Sequence, residues 1–274
     1  INRLKPQANT EHIHLGNLTG QFLDDTVHDR DIPFAQSMTR YFQMNALEML
    51  ACEGFQSQQQ AEAFYEKARA QRANIRKLIG QDLRQSIARY DSAHVTLEPT
   101  FFSDMLGIQG RLDFLYRHKK QTIIIAQKPG KGDSVPPPSP SYDPEVPTPQ
   151  DKHLAQLLLY RALLTYEFNL HSEELSHIML LYSRYQQGLV SVGQMPALML
   201  RAIRMRNLLA WCEIHHAQEG YAFLSTLSPE KLNRKQVGGI LWNIYVRPEL
   251  ERLLLPIHQA SPLERAYFLR FMQF

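Results

Sequence analysis

Two strand-like runs joined by a short turn decide the fold: Leu106-Gly-Ile-Gln-Gly-Arg-Leu-Asp113-Phe-Leu-Tyr-Arg-His-Lys-Lys-Gln-Thr-Ile-Ile-Ile-Ala-Gln-Lys128. The pattern predicts strands over 107–116 and 122–126, with the turn at 118–121. The second run is apolar throughout, which favours a central strand covered on both faces. Two neighbouring strands joined in this way bring Asp113 and Lys128 to one edge of the sheet.

The sequence on either side of these strands is mainly helical. Between them and the next helix lies a linker, 130–150, which holds seven of the 16 prolines and is expected to be extended, mobile and exposed. Apolar spacing and capping residues predict helices over 16–29, 31–52, 57–90, 151–168 and 196–217, and further strands over 93–102 and 177–185.

This order of elements predicts an α/β fold in which helices flank a small central mixed sheet. We expect one integrated domain with three parts. Residues 1–92 form an N-terminal helical part, residues 93–190 form the core with a Pro-rich loop at 130–150, and residues 191–274 form a C-terminal helical part. The sequence begins without Met and ends on apolar residues, and we interpret it as a fragment of a longer polypeptide.

Composition excludes several classes of protein. With 274 residues, 44% hydrophobic and 21% charged, the chain is not disordered, collagen-like or a coiled-coil rod. Its longest apolar runs are too short to span a bilayer, so no membrane partner is expected. Two cysteines, Cys52 and Cys212, exclude a disulfide framework and a four-cysteine iron–sulfur cluster, and they favour a cytoplasmic location. A net charge of +3 neither requires nor excludes nucleic acid.

An aspartate and a lysine at one sheet edge suit metal-dependent phosphodiester cleavage. The Asp113 carboxylate can ligate Mg²⁺ or Mn²⁺, and the Lys128 ammonium can position the attacking water or stabilise the transition state. Gln156 and Tyr160 lie four residues apart, on one face of the helix after the linker. That face offers an amide and a phenol to the same site.

In this order, Gly110-Arg-Leu-Asp113, Ile123-Ile-Ile-Ala-Gln-Lys128-Pro-Gly130 and Gln156-x-x-x-Tyr160 resemble the PD-(D/E)XK nuclease superfamily. The resemblance is to the RecB-like branch, which includes nuclease domains of replication nuclease–helicases and CRISPR-adaptation nucleases. It covers about residues 15–210. Further features that fit the branch are Gly16–Asp25, Glu98, Leu181-Tyr-Ser-Arg184 and Arg206-Asn207.

The resemblance implies a restriction-endonuclease-like core that hydrolyses single-stranded or flap DNA with Mg²⁺ or Mn²⁺, and a helicase domain in the same polypeptide. It implies a metal ligated by Asp113 and by the carbonyl of Gln127. Lys128 would assist the water, and Gln156 and Tyr160 would orient the scissile phosphate or the lysine. We expect contacts to nucleic acid from Arg111, Lys131 and Arg184.

Two positions depart from the family pattern. The family has Glu, or sometimes Asp or Gln, two residues before the lysine, where this chain has Ala126, and many members have a histidine where this chain has Gly20. Ala126 is either a deliberate replacement of a catalytic glutamate or the mark of a naturally inactive or relocated site. Nothing in the spacing decides whether Glu98, Asp104 or Asp133 supplies the missing carboxylate.

Plainer interpretations and two other functions stay open. Asp113 can be a structural strand-edge residue, Lys128 a turn lysine and Tyr160 a buried aromatic, and the basic face of residues 67–89 can be an ordinary solvated helix face. One alternative function is an inactive nuclease fold that binds DNA or acts as a scaffold. The other is an unrelated α/β interaction domain, in which Asp113 and Lys128 would not converge.

Overall fold

The computed structural model describes residues 9–87, 90–133, 146–170 and 174–272, in two compact units, 9–200 and from 201 onward. The helices are α1 (Glu11–Val27), α2 (Phe34–Met44), α3 (Ala46–Leu50), α4 (Gln58–Lys77), α5 (Arg84–Ser86), α6 (Asp151–Glu167), α7 (Pro196–Glu219), α8 (Pro229–Leu232), α9 (Arg247–Gln259) and α10 (Pro262–Phe271). The strands are β1 (Val95–Leu97), β2 (Thr100–Ser103), β3 (Ile108–Arg111), β4 (Phe114–His118), β5 (Gln121–Lys128), β6 (Leu175–Tyr182) and β7 (Leu189–Ser191).

A mixed five-stranded sheet lies at the centre of the unit 9–200, in the order β1-β4-β5-β6-β7. Strands β5 and β6 pair in parallel, and the other neighbours are antiparallel. Strands β2 and β3 form a separate two-stranded sheet. The predicted α/β class with a mixed sheet flanked by helices is therefore confirmed.

Strand β5 is the central strand, as its apolar sequence predicts. Its side chains alternate between two cores. Ile123 and Ile125 pack with residues of α1 and α4 on one face, whereas Ile124 and Ala126 pack with residues of α6 on the other. All four are fully buried. This double coverage explains why the run carries no polar alternation.

The prediction of one strand over 93–102 is wrong, because the chain leaves the main sheet at Glu98. That residue has a φ of 51°, in the left-handed region, and Pro99 after it has no N–H with which to continue a ladder. As a result β1 pairs with β4 in the main sheet, and β2 pairs with β3 in the small one.

The strand predicted over 107–116 also divides, at Leu112 and Asp113. Two backbone hydrogen bonds hold the division in place. Leu112 N–H donates to the Pro99 carbonyl at 3.1 Å, and Glu98 N–H donates to the Asp113 carbonyl at 3.3 Å. The two breaks therefore lie side by side, joined by these hydrogen bonds, and Glu98 lies beside Asp113.

The helices before the sheet follow the prediction with three changes. Helix α1 begins at Glu11, before the predicted start at residue 16. The helix predicted over 31–52 breaks at Asn45, whose side-chain amide donates to the Tyr41 carbonyl at 2.9 Å and so competes with the helical backbone. Helix α4 has the predicted cap at Ser57, but a π-helical turn, Leu78–Leu83, follows it.

The elements after the Pro-rich linker largely match the sequence pattern. Residues 134–145 of the linker lie outside the described residues, and the two sides of that gap meet in an isolated bridge between Asp133 and Thr148. Helix α6 and strand β6 lie close to their predicted ranges, 151–168 and 177–185. The short strand β7 was not predicted.

The unit from residue 201 onward consists of helices and short helical turns, as expected. A capping box joins Ser261 and Glu264 at the start of α10, and Arg247 of α9 forms ion pairs with Glu230 and Glu251. None of the described helices is both long and apolar enough to cross a bilayer. Cys52 and Cys212 are both free thiols.

Replacing Leu18 by Ala tests the packing of α1 on the core. Leu18 is fully buried in the cluster that α1 and α4 share with the sheet. We expect Leu18→Ala to lower the free energy of unfolding by about 2–5 kcal/mol, because it leaves a cavity. In Leu47→Ala the same atoms are removed from a side chain that is 79% exposed, and we expect a change within about 0.5 kcal/mol. Urea unfolding followed by circular dichroism measures both, and equal losses would contradict the assigned packing.

Candidate active site

The paired ends of β4 and β5 bring the predicted site residues together. Phe114 is paired with Ile125, and continuing this antiparallel register by one residue places Asp113 opposite Ala126. Lys128 ends β5, two residues further on, and side-chain alternation puts it on the same sheet face as Ala126. Asp113 and Lys128 therefore lie at one end of the sheet, contrary to the expectation for an unrelated interaction domain.

Asp113 is a largely buried carboxylate tied to the neighbouring strand. Its Oδ2 accepts a hydrogen bond from the backbone N–H of Gln127 at 2.6 Å. Burial raises the pKa of the Asp113 carboxyl, while the Gln127 hydrogen bond and the charge of Lys128 act in the opposite direction. Such a carboxyl is poised to take a cation that would compensate its desolvation.

Lys128 is a half-buried cation. Among the described residues, no hydrogen bond or ion pair joins its ammonium to a partner. Burial and the nearby charge of Lys152 lower the pKa of Lys128, and the charge of Asp113 partly offsets them. The ammonium is therefore available to a bound water or a phosphate.

A cleft of about 390 Å³ opens between α1 and the end of the sheet. Three carboxylates, Asp24, Glu98 and Asp113, lie in its wall, and the amide nitrogens of two further lining residues, Gln21 and Gln127, are buried with no hydrogen-bond partner among the described residues. The lining residues are Gly20, Gln21, Leu23, Asp24, Leu97, Glu98, Asp113 and Gln127.

Gly20 occupies the position where the family resemblance leads one to expect a histidine. A Cβ atom on Gly20 would lie 4.0 Å from Oε1 of Glu98, so that position faces the cleft. Of the three candidates for the missing carboxylate, Glu98 alone shares this cleft with Asp113. Asp104 lies in the turn between β2 and β3, and Asp133 lies in the bridge to Thr148.

The predicted amide and phenol on α6 bind each other. Gln156 Nε2 donates to the Tyr160 hydroxyl at 2.8 Å. Burial raises the pKa of Tyr160, and the charge of Asp113 contributes in the same direction, so the ring lies near the site. The Tyr160 ring also packs directly on Gly110, where an added Cβ would lie 2.5 Å from ring Cε1. Gly110 is therefore required for the position of Tyr160.

The residues predicted to ligate a metal are only partly suited to it. The methyl group of Ala126 is fully buried in the apolar cluster under α6 and offers no ligand. Among the described residues there is no group of three His, Cys, Asp or Glu side chains placed to hold an ion. The oxygen donors of Asp113, Glu98 and the Gln127 carbonyl are nevertheless the type that Mg²⁺ and Mn²⁺ prefer.

The residues predicted to contact nucleic acid surround this end of the sheet. Arg111 forms an ion pair with Glu98 at 3.2 Å, beside the cleft. Lys131 and Arg184 are exposed, and the Lys131 carbonyl accepts from the Gln150 side chain at 2.8 Å. Arg111 therefore has an intramolecular partner already, whereas the side chains of Lys131 and Arg184 point into solvent.

Most of the basic face of α4 is used for internal ion pairs, which favours the plainer interpretation. Lys67 pairs with Glu11 at 2.7 Å, and Arg76 pairs with Asp31 at 2.9 Å. Arg84, beyond the π-helical turn, pairs with Asp29 at 2.7 Å. These contacts hold α4 against neighbouring segments.

Sequence reasoning missed His153 and Tyr182 at this site. His153 lies in the first turn of α6, and its Nδ1 is 2.8 Å from the Tyr182 hydroxyl. The signal was the position of His153 three residues before Gln156, on the helix face that carries the amide. Tyr182 was noted only within Leu181-Tyr-Ser-Arg184, as part of the family resemblance, and no role was predicted for it, because an aromatic residue in a buried strand is ordinary.

Comparison with known proteins adds no assignment. A scan against protein-family models, a search of curated proteins and a search of solved structures each found no match to this chain.

A double-mutant cycle tests the contact between Gly110 and Tyr160. We expect Gly110→Ala to lower the free energy of unfolding by about 1–3 kcal/mol, because the new methyl group overlaps the Tyr160 ring. In a Tyr160→Ala background the overlap disappears, so the same change should cost less, with a coupling energy of about 0.5–3 kcal/mol. Chemical denaturation of the four proteins measures it, and additive effects would show that the ring is elsewhere.

Because burial disfavours the charged form of Asp113, we expect that removing this charge stabilises the fold by an amount that depends on pH. Because its folded-state pKa is raised above 3.8, stability is lost as the pH rises from about 3.8 through the raised value. Asp113→Asn does not titrate and keeps an oxygen for Gln127 N–H. We expect it to stabilise the fold at pH 7 by roughly 0.5–2 kcal/mol, and not below pH 3.8.

Asp104→Asn is the matched control for that experiment, because Asp104 is exposed in a turn. We expect it to change the free energy of unfolding by no more than about 0.5 kcal/mol at either pH. Thermal unfolding at pH 3.5–7 compares the variants. A loss of stability in Asp113→Asn at pH 7 would mean that the ionised carboxylate stabilises the fold instead.

Proposed function

We propose that this chain is a metal-dependent DNA nuclease domain of the RecB-like PD-(D/E)XK type, with a restriction-endonuclease-like core and a catalytic site impaired by Ala126. One observation carries the proposal. The Asp113 carboxylate reaches the backbone of β5 between Ala126 and Lys128, where its Oδ2 accepts from Gln127 N–H at 2.6 Å. This is the arrangement that a two-carboxylate and lysine site requires, with one carboxylate replaced by a methyl group.

In this proposal Asp113 and Glu98 hold Mg²⁺ or Mn²⁺, together with the carbonyl of Gln127. The ion would polarise the scissile phosphate and lower the pKa of a bound water. Lys128 holds the attacking water or stabilises the negative charge that develops on the phosphate. Because this ammonium has no partner among the described residues, it needs no rearrangement to do so.

Gln156 and Tyr160 have a positioning role in the proposed mechanism. Their mutual hydrogen bond fixes the Tyr160 hydroxyl as an acceptor from Gln156, so its own proton is free to donate to a phosphate oxygen. Gly110 holds the ring in place by direct contact.

The partners follow from the same proposal. The substrate is single-stranded or flap DNA, and a helicase domain in the same polypeptide would supply it. A cytoplasmic location fits the two free thiols. Arg111, Lys131 and Arg184 lie where the strand would enter or leave the site, and they would contact its phosphates.

A second candidate function is an inactive nuclease fold that binds DNA. The observation that favours it is the burial of Ala126: its methyl group has no exposed surface and packs in the cluster under α6. A site in which this position has become part of the core has no space prepared for a carboxylate. In that case Lys128 would serve as a phosphate contact alone.

Restoring the carboxylate tests the proposed function. We expect Ala126→Glu to increase cleavage of end-labelled single-stranded DNA in Mn²⁺ by more than about 100-fold, because loss of even an outer partner of a metal ligand costs about 10- to 100-fold. Ala126→Met has a similar length without an oxygen ligand, and we expect it to resemble the starting protein. Circular dichroism checks that each variant is folded.

The outcomes separate the candidates. Cleavage by Ala126→Glu alone would support a nuclease disabled at one position. A folded Ala126→Glu that binds DNA without cutting it would favour the inactive module. Equal cleavage by the starting protein and Ala126→Glu would place the second carboxylate elsewhere, and loss of that activity in Glu98→Gln would then identify Glu98 as the ligand.

A further inference from the structure

A series of hydrogen bonds fixes the position of His153, which lies near Lys128. The backbone N–H of Gln150 donates to the Tyr182 hydroxyl at 3.1 Å, and that hydroxyl is 2.8 Å from Nδ1 of His153. Gln150 is the residue before α6, and Tyr182 ends β6, so the contact joins the start of the helix to the end of the sheet. In the described part of the chain, Nε2 of His153 has no hydrogen-bond partner.

The same series of hydrogen bonds also fixes the tautomer of His153. The Tyr182 hydroxyl has one proton, and it already accepts from Gln150. If Nδ1 carried the histidine proton, the hydroxyl would accept twice and its own proton would have no acceptor among the described residues. The arrangement that satisfies both groups has Tyr182 donating to Nδ1. The proton of the imidazole is then on Nε2, the nitrogen without a partner.

His153 is neutral at physiological pH. Burial is the main cause, and the positive charges of Lys128 and Lys152 add to it, while Asp133 acts in the opposite direction. Together they lower the pKa of His153 to about 4. The imidazole is therefore a fixed, uncharged N–H donor among cations, where an anion is the complementary ligand.

We propose that His153 is a phosphate-binding residue: its Nε2–H donates to a non-bridging oxygen of a DNA phosphate that lies beside Lys128. This inference rests on the proposed function, because it takes DNA as the ligand. The tether through Tyr182 satisfies Nδ1 and leaves Nε2 without a partner among the described residues, open to solvent or to a ligand.

A pair of substitutions separates the two nitrogens. In His153→Asn the side-chain oxygen can still accept from Tyr182, but no donor reaches the Nε2 position. In His153→Gln the side chain extends as far as Nε2 and its amide N–H replaces the donor. Binding of fluorescent oligodeoxythymidylate is measured by anisotropy over a range of salt concentrations, with Ca²⁺ in place of Mg²⁺ so that the strand stays intact.

We expect His153→Asn to bind about tenfold more weakly than the starting protein, because it loses a hydrogen bond to a charged group. His153→Gln should stay within about threefold, since a replacement donor keeps most of that bond. Because the histidine is uncharged, the dependence of affinity on salt should keep its slope in both variants. A lost cation would reduce that slope by about 0.7.

Each other outcome overturns a different statement. If His153→Asn binds as the starting protein does, His153 makes no phosphate contact. If its salt slope falls by about 0.7, the histidine is charged and the neutral donor is wrong. If His153→Gln is as weak as His153→Asn, a donor that reaches the Nε2 position does not restore binding, and the assignment of that donor is wrong. If the starting protein binds no DNA, the proposed function fails and this inference fails with it.

Discussion

The hydrogen bond from Gln127 N–H to the Asp113 carboxylate, at 2.6 Å, is the constraint on which the site depends. The ladder of backbone hydrogen bonds between β4 and β5 ends at Phe114, where the strand ends, and this bond continues the contact beyond it. It also holds a buried carboxylate against its tendency to be protonated, since a hydrogen bond to the charged form opposes desolvation. Beyond the last ladder pair, Phe114 and Ile125, that bond ties the break before β4 to the end of β5, next to Lys128.

The sequence predicted the elements that periodicity controls and missed those that single residues control. The central strand β5 and helix α6 lie close to their predicted ranges, and α4 begins after Ser57 as predicted, because each carries a long apolar pattern. The breaks at Asn45, Glu98 and Asp113 escaped prediction. The breaks at Glu98 and Asp113 depend on hydrogen bonds and a backbone angle that involve residues distant in sequence. The break at Asn45 has a local partner, Tyr41, so an asparagine cap could have been considered there.

For the candidate site, the sequence identified the residues but not the contacts between them. Asp113, Lys128, Gln156 and Tyr160 were selected from order and spacing, and the fold brings them to one end of the sheet. That Glu98 shares the cleft with Asp113, whereas Asp104 and Asp133 do not, follows only from the two opposed strand breaks. Helix spacing placed His153 on the face of Gln156, but the tether to Tyr182 joins α6 to β6, and no pattern within one element contains it.

The site carries two charges whose burial opposes folding. The raised pKa of Asp113 and the lowered pKa of Lys128 both mean that burial disfavours the ionised forms. Each partly compensates the other, but a buried pair seldom recovers its full desolvation free energy. Burial of both charges therefore costs stability that the packing of the sheet and its helices must supply. A ligand of complementary charge would offset this cost when bound, and under the proposed function a metal cation with a DNA phosphate would do so.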